Sequence, residues 1–143
     1  MEEERVLVID SEEAACNLIK TTLSTRGFRV SVAQTAKVGL ELQNENVCSL
    51  IFIDLALKDL DARYIVREIK RRDESIAIII LSYPDDANLV QEDLNLGATD
   101  YLYKPLKTEE IYFKARNVLE FRKFILNNTR ALQGIEERNI SLQ

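Results

Sequence analysis

Histidine and tryptophan are absent from these 143 residues, and the chain holds one methionine, two prolines, two cysteines and four glycines. Without histidine, Ser-His-Asp and Cys-His catalysis, which need imidazole as the base, are excluded. Cys16 falls in a helical pattern and Cys48 just before a strand, with no CxxC spacing. Both read as buried structural thiols rather than a disulfide or a metal site. The glycines form no glycine-rich phosphate loop, which removes the support for a flavin or other small-molecule site. No stretch approaches the ~20 consecutive apolar residues that span a bilayer. The start, Met1-Glu2-Glu3-Glu4, lacks the basic-then-apolar order of a secretory signal. A cytoplasmic protein with no membrane contact is expected. A net charge of −5 also argues against direct nucleic-acid binding by this segment, because phosphate recognition needs clustered cations.

What is present is a regular alternation. Apolar residues make up 46% and charged residues 30%, over a length suited to one globular domain. Strands are predicted at Arg5 to Ile9, Phe28 to Ala33, Leu50 to Ile53 and Ile76 to Leu81, with a weaker one at Thr99 to Leu102. The first, third and fourth are continuous apolar runs, as strands covered on both faces require. Between them, Ala15, Leu18, Ile19 and Leu23 share a helical face that ends before Gly27. Val38 and Leu42 follow a cap at Thr35; Ile65, Val66 and Ile69 follow Asp61; Leu89, Val90 and Leu94 end near Gly97. A last helix opens at Thr108, an N-cap followed by Glu109 and Glu110, which suit the positive end of the helix dipole. Five βα units predict a doubly wound α/β fold, a five-stranded parallel sheet of order 2-1-3-4-5 with an extended C-terminal helix.

In such a sheet the chemistry collects beyond the carboxyl ends of the strands. There stand Asp10 after the first strand, Asp54 in "SLIFIDLALKDLD" after the third, Ser82 after the fourth and Lys104-Pro105 after the fifth. Two adjacent carboxylates suit a hard divalent cation such as Mg²⁺. An ammonium and a hydroxyl beside that cation suit the oxygens of a phosphoryl group. A carboxylate in that setting can accept the group as an acyl phosphate, which gives Asp54 the role of nucleophile or acceptor.

The stretches "VLVIDSEE", "LIFIDLAL", "IIILSYPD" and "GATDYLYKPL", in that order and spacing, resemble the receiver domain of two-component response regulators over residues 5 to 121. The resemblance implies that Asp54 is the phospho-acceptor, Asp10 an Mg²⁺-site acid and the carbonyl of Ala56 a further metal ligand. It also implies that Ser82 is the switch hydroxyl, Lys104 the phosphate-pairing ammonium and Tyr101 the switch aromatic, with Lys104-Pro105 a cis peptide. The donor it implies is the phosphohistidine of a sensor histidine kinase or phosphotransfer protein. The domain then assists its own phosphorylation without being a turnover enzyme. Three positions depart from the family pattern. Ser11 stands where a second acid is usual, followed by Glu12 and Glu13; Tyr83 replaces a small residue; Lys58-Asp59 replaces Pro-Gly. The loss of a carboxylate weakens the expected Mg²⁺ site, and Ser11 itself reads as the N-cap of the first helix. A second reading built on Ser11 and Tyr83 is a pseudo-receiver, a docking or dimerisation module that works without phosphorylation.

Residues 122–143 are expected to form a helical extension of a receiver spanning residues 1–121. Val118, Phe121, Ile125, Asn128, Leu132, Ile135, Asn139 and Leu142 alternate spacings of three and four, the seam of a coiled coil. Its asparagines would fix register, and Gly134 weakens the far end by ~1 kcal/mol relative to alanine. Either a homodimer through this helix or a single amphipathic helix packed back on its own domain is expected, with an output module beyond Gln143.

Overall fold

The computed structural model describes the backbone of residues 4–141 and the side chains of residues 4–130. Leu132, Ile135, Asn139 and Leu142 of the heptad seam therefore lie outside the described side chains. The order is β1 (Arg5–Ile9), α1 (Glu13–Ser24), β2 (Arg29–Ala33), α2 (Ala36–Glu45), β3 (Leu50–Asp54), α3 (Ala62–Arg72), β4 (Ala77–Ser82), a 3₁₀ turn (Pro84–Asp86), α4 (Ala87–Asn95), β5 (Asp100–Tyr103) and α5 (Thr108–Ser141). All strand pairs are parallel, in the order β2-β1-β3-β4-β5.

The apolar runs are continuous because each central strand is buried on both faces. Leu7, Ile9, Ile51, Ile53, Ile78 and Ile80 meet Ile65, Val66 and Ile69 of α3 on one side. The alternate residues Val6, Val8, Leu50, Phe52, Ile79 and Leu81 meet Ile19 and Leu23 of α1 and Ile111, Ala115 and Leu119 of α5 on the other. Edge strand β2 instead alternates, with Arg29 and Ser31 exposed. Helix α2 lies close enough to β1 that a Cβ on Gly39 would stand 2.6 Å from Ile9 Cγ1. The predicted stops after α1 and α4 coincide with Gly27 and Gly97, both at positive φ, where a glycine avoids the Cβ penalty. Thr35 Oγ1 accepts from Val38 N, and Asp61 Oδ1 from Arg63 N, so both predicted caps form. At α5, Ile111 N donates to Lys107 O, which places Thr108 inside the helix rather than at its cap.

Helix α5 continues 34 residues from Thr108 without a break. Its first part belongs to the domain core, and the Arg122 guanidinium still reaches Ser75 O at 3.0 Å. Val118 is buried in that core, so the expected seam does not start there. Phe121, Phe124 and Ile125 are exposed. Among the described residues no helix is long and apolar enough to cross a membrane.

Candidate functional site

The parallel register sets the site. Asp10 follows Ile9, which is aligned with Ile53, and Asp54 pairs with Leu81, so Asp10, Asp54 and Ser82 arrive side by side at the carboxyl edge. Strands β3, β4 and β5 each end one residue past the predicted end, and backbone bonds continue beyond them: Leu55 N donates to Leu81 O and Lys104 N to Ser82 O. These bonds hold the backbone beneath Asp54, Ser82 and Lys104. The Lys104-Pro105 peptide is cis.

Asp10, Asp54, Ser82 and Lys104 are all buried. Lys104 Nζ stands 2.9 Å from Asp10 Oδ2, 2.8 Å from Glu12 Oε1 and 3.7 Å from Asp54 Oδ1. Asp54 Oδ1 accepts from Ala56 N at 3.1 Å, and its Oδ2 accepts from the Ser11 hydroxyl at 3.3 Å. The Ser82 hydroxyl is buried and has no hydrogen-bond partner among the described residues. Tyr101 is half-buried on β5 and forms none of the bonds to Asp54. Its ring lies 4.9 Å from that of Tyr103 and beneath Lys114 Nζ at 5.4 Å.

Electrostatics follow from three carboxylates around one ammonium. Burial pushes the Asp10 carboxyl up to about 6, against the Glu12 amide and Lys104, while the charge of Asp54 adds to the rise. Burial alone would lower Lys104, but its bonds to Glu12 and Asp10 prevail and hold it above the usual lysine value. Glu12 is held below the usual carboxylate range by Lys104. Burial pushes the Cys16 thiol up to about 11, and both cysteines are free and buried, as structural thiols are.

One expectation at the site is corrected. Ser11 is not a helix cap. The N-cap position is Glu12, and its amide is taken by Asp10 Oδ1 at 2.8 Å, which leaves the Ser11 hydroxyl one residue early and turned to Asp54. The Lys58-Asp59 departure has a structural use of its own. The Asp59 carboxylate accepts from Ala36 N and Lys37 N, both at 3.0 Å, and so binds the amino end of α2.

Sequence reasoning left open where Glu12 points; it points into the site, where Tyr83 O–H also donates to its Oε1 at 3.1 Å. It missed Asp93 altogether. This α4 acid is completely buried, and neither carboxylate oxygen has a hydrogen-bond partner among the described residues. The signal was available, because Asp93 lies three residues from Val90 and so shares its inward face.

Over residues 6–116 the chain matches the family described as the response regulator receiver domain. It is 31% identical to the probable transcriptional regulator ycf27 of Porphyridium aerugineum, over 94% of this chain and 56% of that one. It is 27% identical to the uncharacterized transcriptional regulatory protein YkoG of Bacillus subtilis, over 83% of this chain and 52% of that one. It thus spans about half the length of these relatives. The crystal structure of the receiver domain of NtrX from Brucella abortus superposes with a TM-score of 0.77 at 26% identity, over 80% of this chain and 98% of that one. A family match over most of the chain, on a five-stranded parallel sheet of order 2-1-3-4-5 that gathers acids, hydroxyl and ammonium at its carboxyl edge, means that the chain belongs to the response regulator receiver domain family.

Proposed function

We propose that this receiver accepts a phosphoryl group on Asp54 from the phosphohistidine of a sensor histidine kinase or phosphotransfer protein. The observation that carries the reading is the buried cluster in which Lys104 lies within 3.7 Å of Asp54 beside a Ser82 hydroxyl that has no protein partner among the described residues. An Asp54 carboxylate oxygen attacks phosphorus, a P–O bond forms, the P–N bond to the donor imidazole breaks, and the imidazole leaves neutral after taking up a proton. Lys104 and Ser82 then pair with the phosphoryl oxygens. Tyr101, on the strand next to Ser82, is the aromatic through which the change spreads to the β5 and α5 surface. The domain assists this transfer and turns over no external substrate.

The donor set fits a hard cation. Asp10 and Asp54 approach the same ammonium, and oxygen donors of this kind suit Mg²⁺, which keeps several waters and needs only one or two protein carboxylates. Asp10, Asp54 and the Ala56 carbonyl would hold it, and when bound it would neutralise charge on the transferring group. Ser11 leaves this set one acid short. Among the described residues no group of three or more acids or thiols is arranged to hold an ion.

Residues 1–121 form the receiver in this proposal and residues 122–143 a helical linker, and α5, which runs through both, pairs with a second copy through Phe121 and Ile125. Both side chains are exposed, and they lie four residues apart on one face. In a cytoplasmic regulator such a linker passes the signal to an output module, which in the longer relatives is named for transcription. The pairing predicts a dimer by light scattering for residues 1–143. The Phe121→Glu/Ile125→Glu variant should be a monomer; a wild-type monomer contradicts the pairing.

Transfer is tested with a histidine kinase domain carrying radiolabelled phosphohistidine. The label is expected to move to this chain and to stay on the kinase with Asp54→Asn. Label reaching the Asp54→Asn chain equally contradicts the assignment.

A further inference from the structure

Glu12 stands where an incoming phosphoryl group needs an ammonium. Its Oε1 accepts from Lys104 Nζ at 2.8 Å and from the Tyr83 hydroxyl at 3.1 Å. Lys104 is nearly enclosed, whereas the Glu12 side chain is 47% exposed, so the carboxylate reaches inward from the mouth of the pocket. Tyr83, from the segment after β4, is half exposed, and its ring lies 5.6 Å from the ammonium. Two loops that start from different strands are thus joined across the mouth by one carboxylate.

A carboxylate on a short charge-assisted bond to an ammonium resembles, to that ammonium, a phosphoryl oxygen. A dianionic phosphoryl group on Asp54 would meet Asp10 and Glu12 as like charges, and Lys104 is the one cation within 4 Å of these carboxylates among the described residues. Accepting the assignment of Asp54 as acceptor, we infer that Glu12, clamped by Tyr83, is an internal competing anion that holds Lys104 until a phosphoryl group displaces it. Glu12 and Tyr83 are positioning residues in this scheme, acting through Lys104. On displacement the Glu12 carboxylate turns to solvent and the Tyr83 hydroxyl loses its partner, so the segment leading to α4 is released at the moment Asp54 is modified.

Beryllofluoride, a phosphoryl mimic, tests this by calorimetric titration at fixed excess Mg²⁺. Glu12→Gln removes the competing charge and is expected to tighten binding about tenfold, as expected for loss of a hydrogen bond to a charged group. Glu12→Asp, too short to reach the ammonium, should give most of the same gain although it keeps the charge. Tyr83→Phe should tighten binding about two- to threefold in the wild type and not at all in the Glu12→Gln background. A weaker affinity of Glu12→Gln for beryllofluoride, or for Mg²⁺ alone, overturns the inference by making Glu12 a metal-site acid. Unchanged affinity overturns it by making the Glu12 contact a passive surface bridge. If the wild type binds no beryllofluoride the acceptor assignment itself falls, whereas wild-type binding with an unaltered Glu12→Gln removes only the competing anion.

Discussion

Lys104→Met is expected to lose about 3–5 kcal/mol of unfolding free energy at neutral pH, the range for removing one partner of a buried ion pair. The side chains of Asp10 and Asp54 are 0% and 4% exposed, and both lie within 3.7 Å of the ammonium that the substitution deletes. Methionine fills the space but leaves the carboxylates with each other. The loss carries a pH signature. Asp10 is already pushed up to about 6 by burial, and without Lys104 it rises further. An acid whose folded value lies above its unfolded one costs stability as pH rises through that interval, so the variant should recover stability on acidification from pH 7 towards 5. Wild-type Lys104 has a raised value, so its own contribution is complete below the ordinary lysine value and disappears only in strong alkali. Urea unfolding across this range checks both points. Millimolar Mg²⁺ should restore part of the loss by supplying another cation to Asp10 and Asp54. A variant as stable as the wild type at pH 7, or one indifferent to pH, contradicts the electrostatic account.

Asp93→Leu should stabilise the protein, by about 3 kcal/mol more at pH 7 than at pH 4. Asp93 lines a cavity of about 170 Å³ with Leu55, Leu57 and Leu89, together with Asp61, Arg63 and Glu92. Arg63 is already committed to Asp61 at 2.8 Å and to Glu92 at 3.0 Å. Burial, aided by the charge of Asp61, pushes the Asp93 carboxyl from 3.8 up to about 6. A rise of that size is worth about 3 kcal/mol. The folded acid keeps its proton to higher pH than the unfolded one, so this penalty is absent below about pH 4, grows to about pH 6 and is constant above. Leucine removes it and adds apolar contact beside three leucines. Parallel stability curves for the two proteins between pH 4 and 7 would show that Asp93 is not the source. Helix α4 buries only Val90 and Asp93, so one of its two anchors is a destabilising acid. That weakens the hold of α4 on the core, next to the segment that carries Ser82 and Tyr83.

The fold was legible because burial on both faces leaves a simple trace: Leu50 to Ile53 and Ile76 to Leu81 can be apolar without alternation only inside a parallel sheet. Gly27 and Gly97 marked helix ends, where their positive φ is now evident. The gathering of Asp10, Asp54, Ser82 and Lys104 at the carboxyl edge was legible for the same reason, since each follows a recognisable strand. Long-range choices between nearby polar groups were not. Ser11 has the composition of a cap, but the competing carboxylate of Asp10 takes the Glu12 amide. Where Glu12 points depends on Lys104, 92 residues later. Val118 fits a heptad seam equally well as a core position, and the domain core claims it. Asp93 is polar on an apolar face, a conflict that periodicity exposes but whose partners only the packed α3 and α4 define.

Phosphoryl uptake at Asp54 is the central claim, and intact mass after incubation with Mg²⁺ and a small-molecule phosphodonor tests it without a kinase. The wild type should gain ~80 Da, the mass of one phosphoryl group, with Asp54→Asn unchanged and the gain lost when Mg²⁺ is chelated. No gain at any Mg²⁺ concentration, or the same gain in Asp54→Asn, would contradict the account.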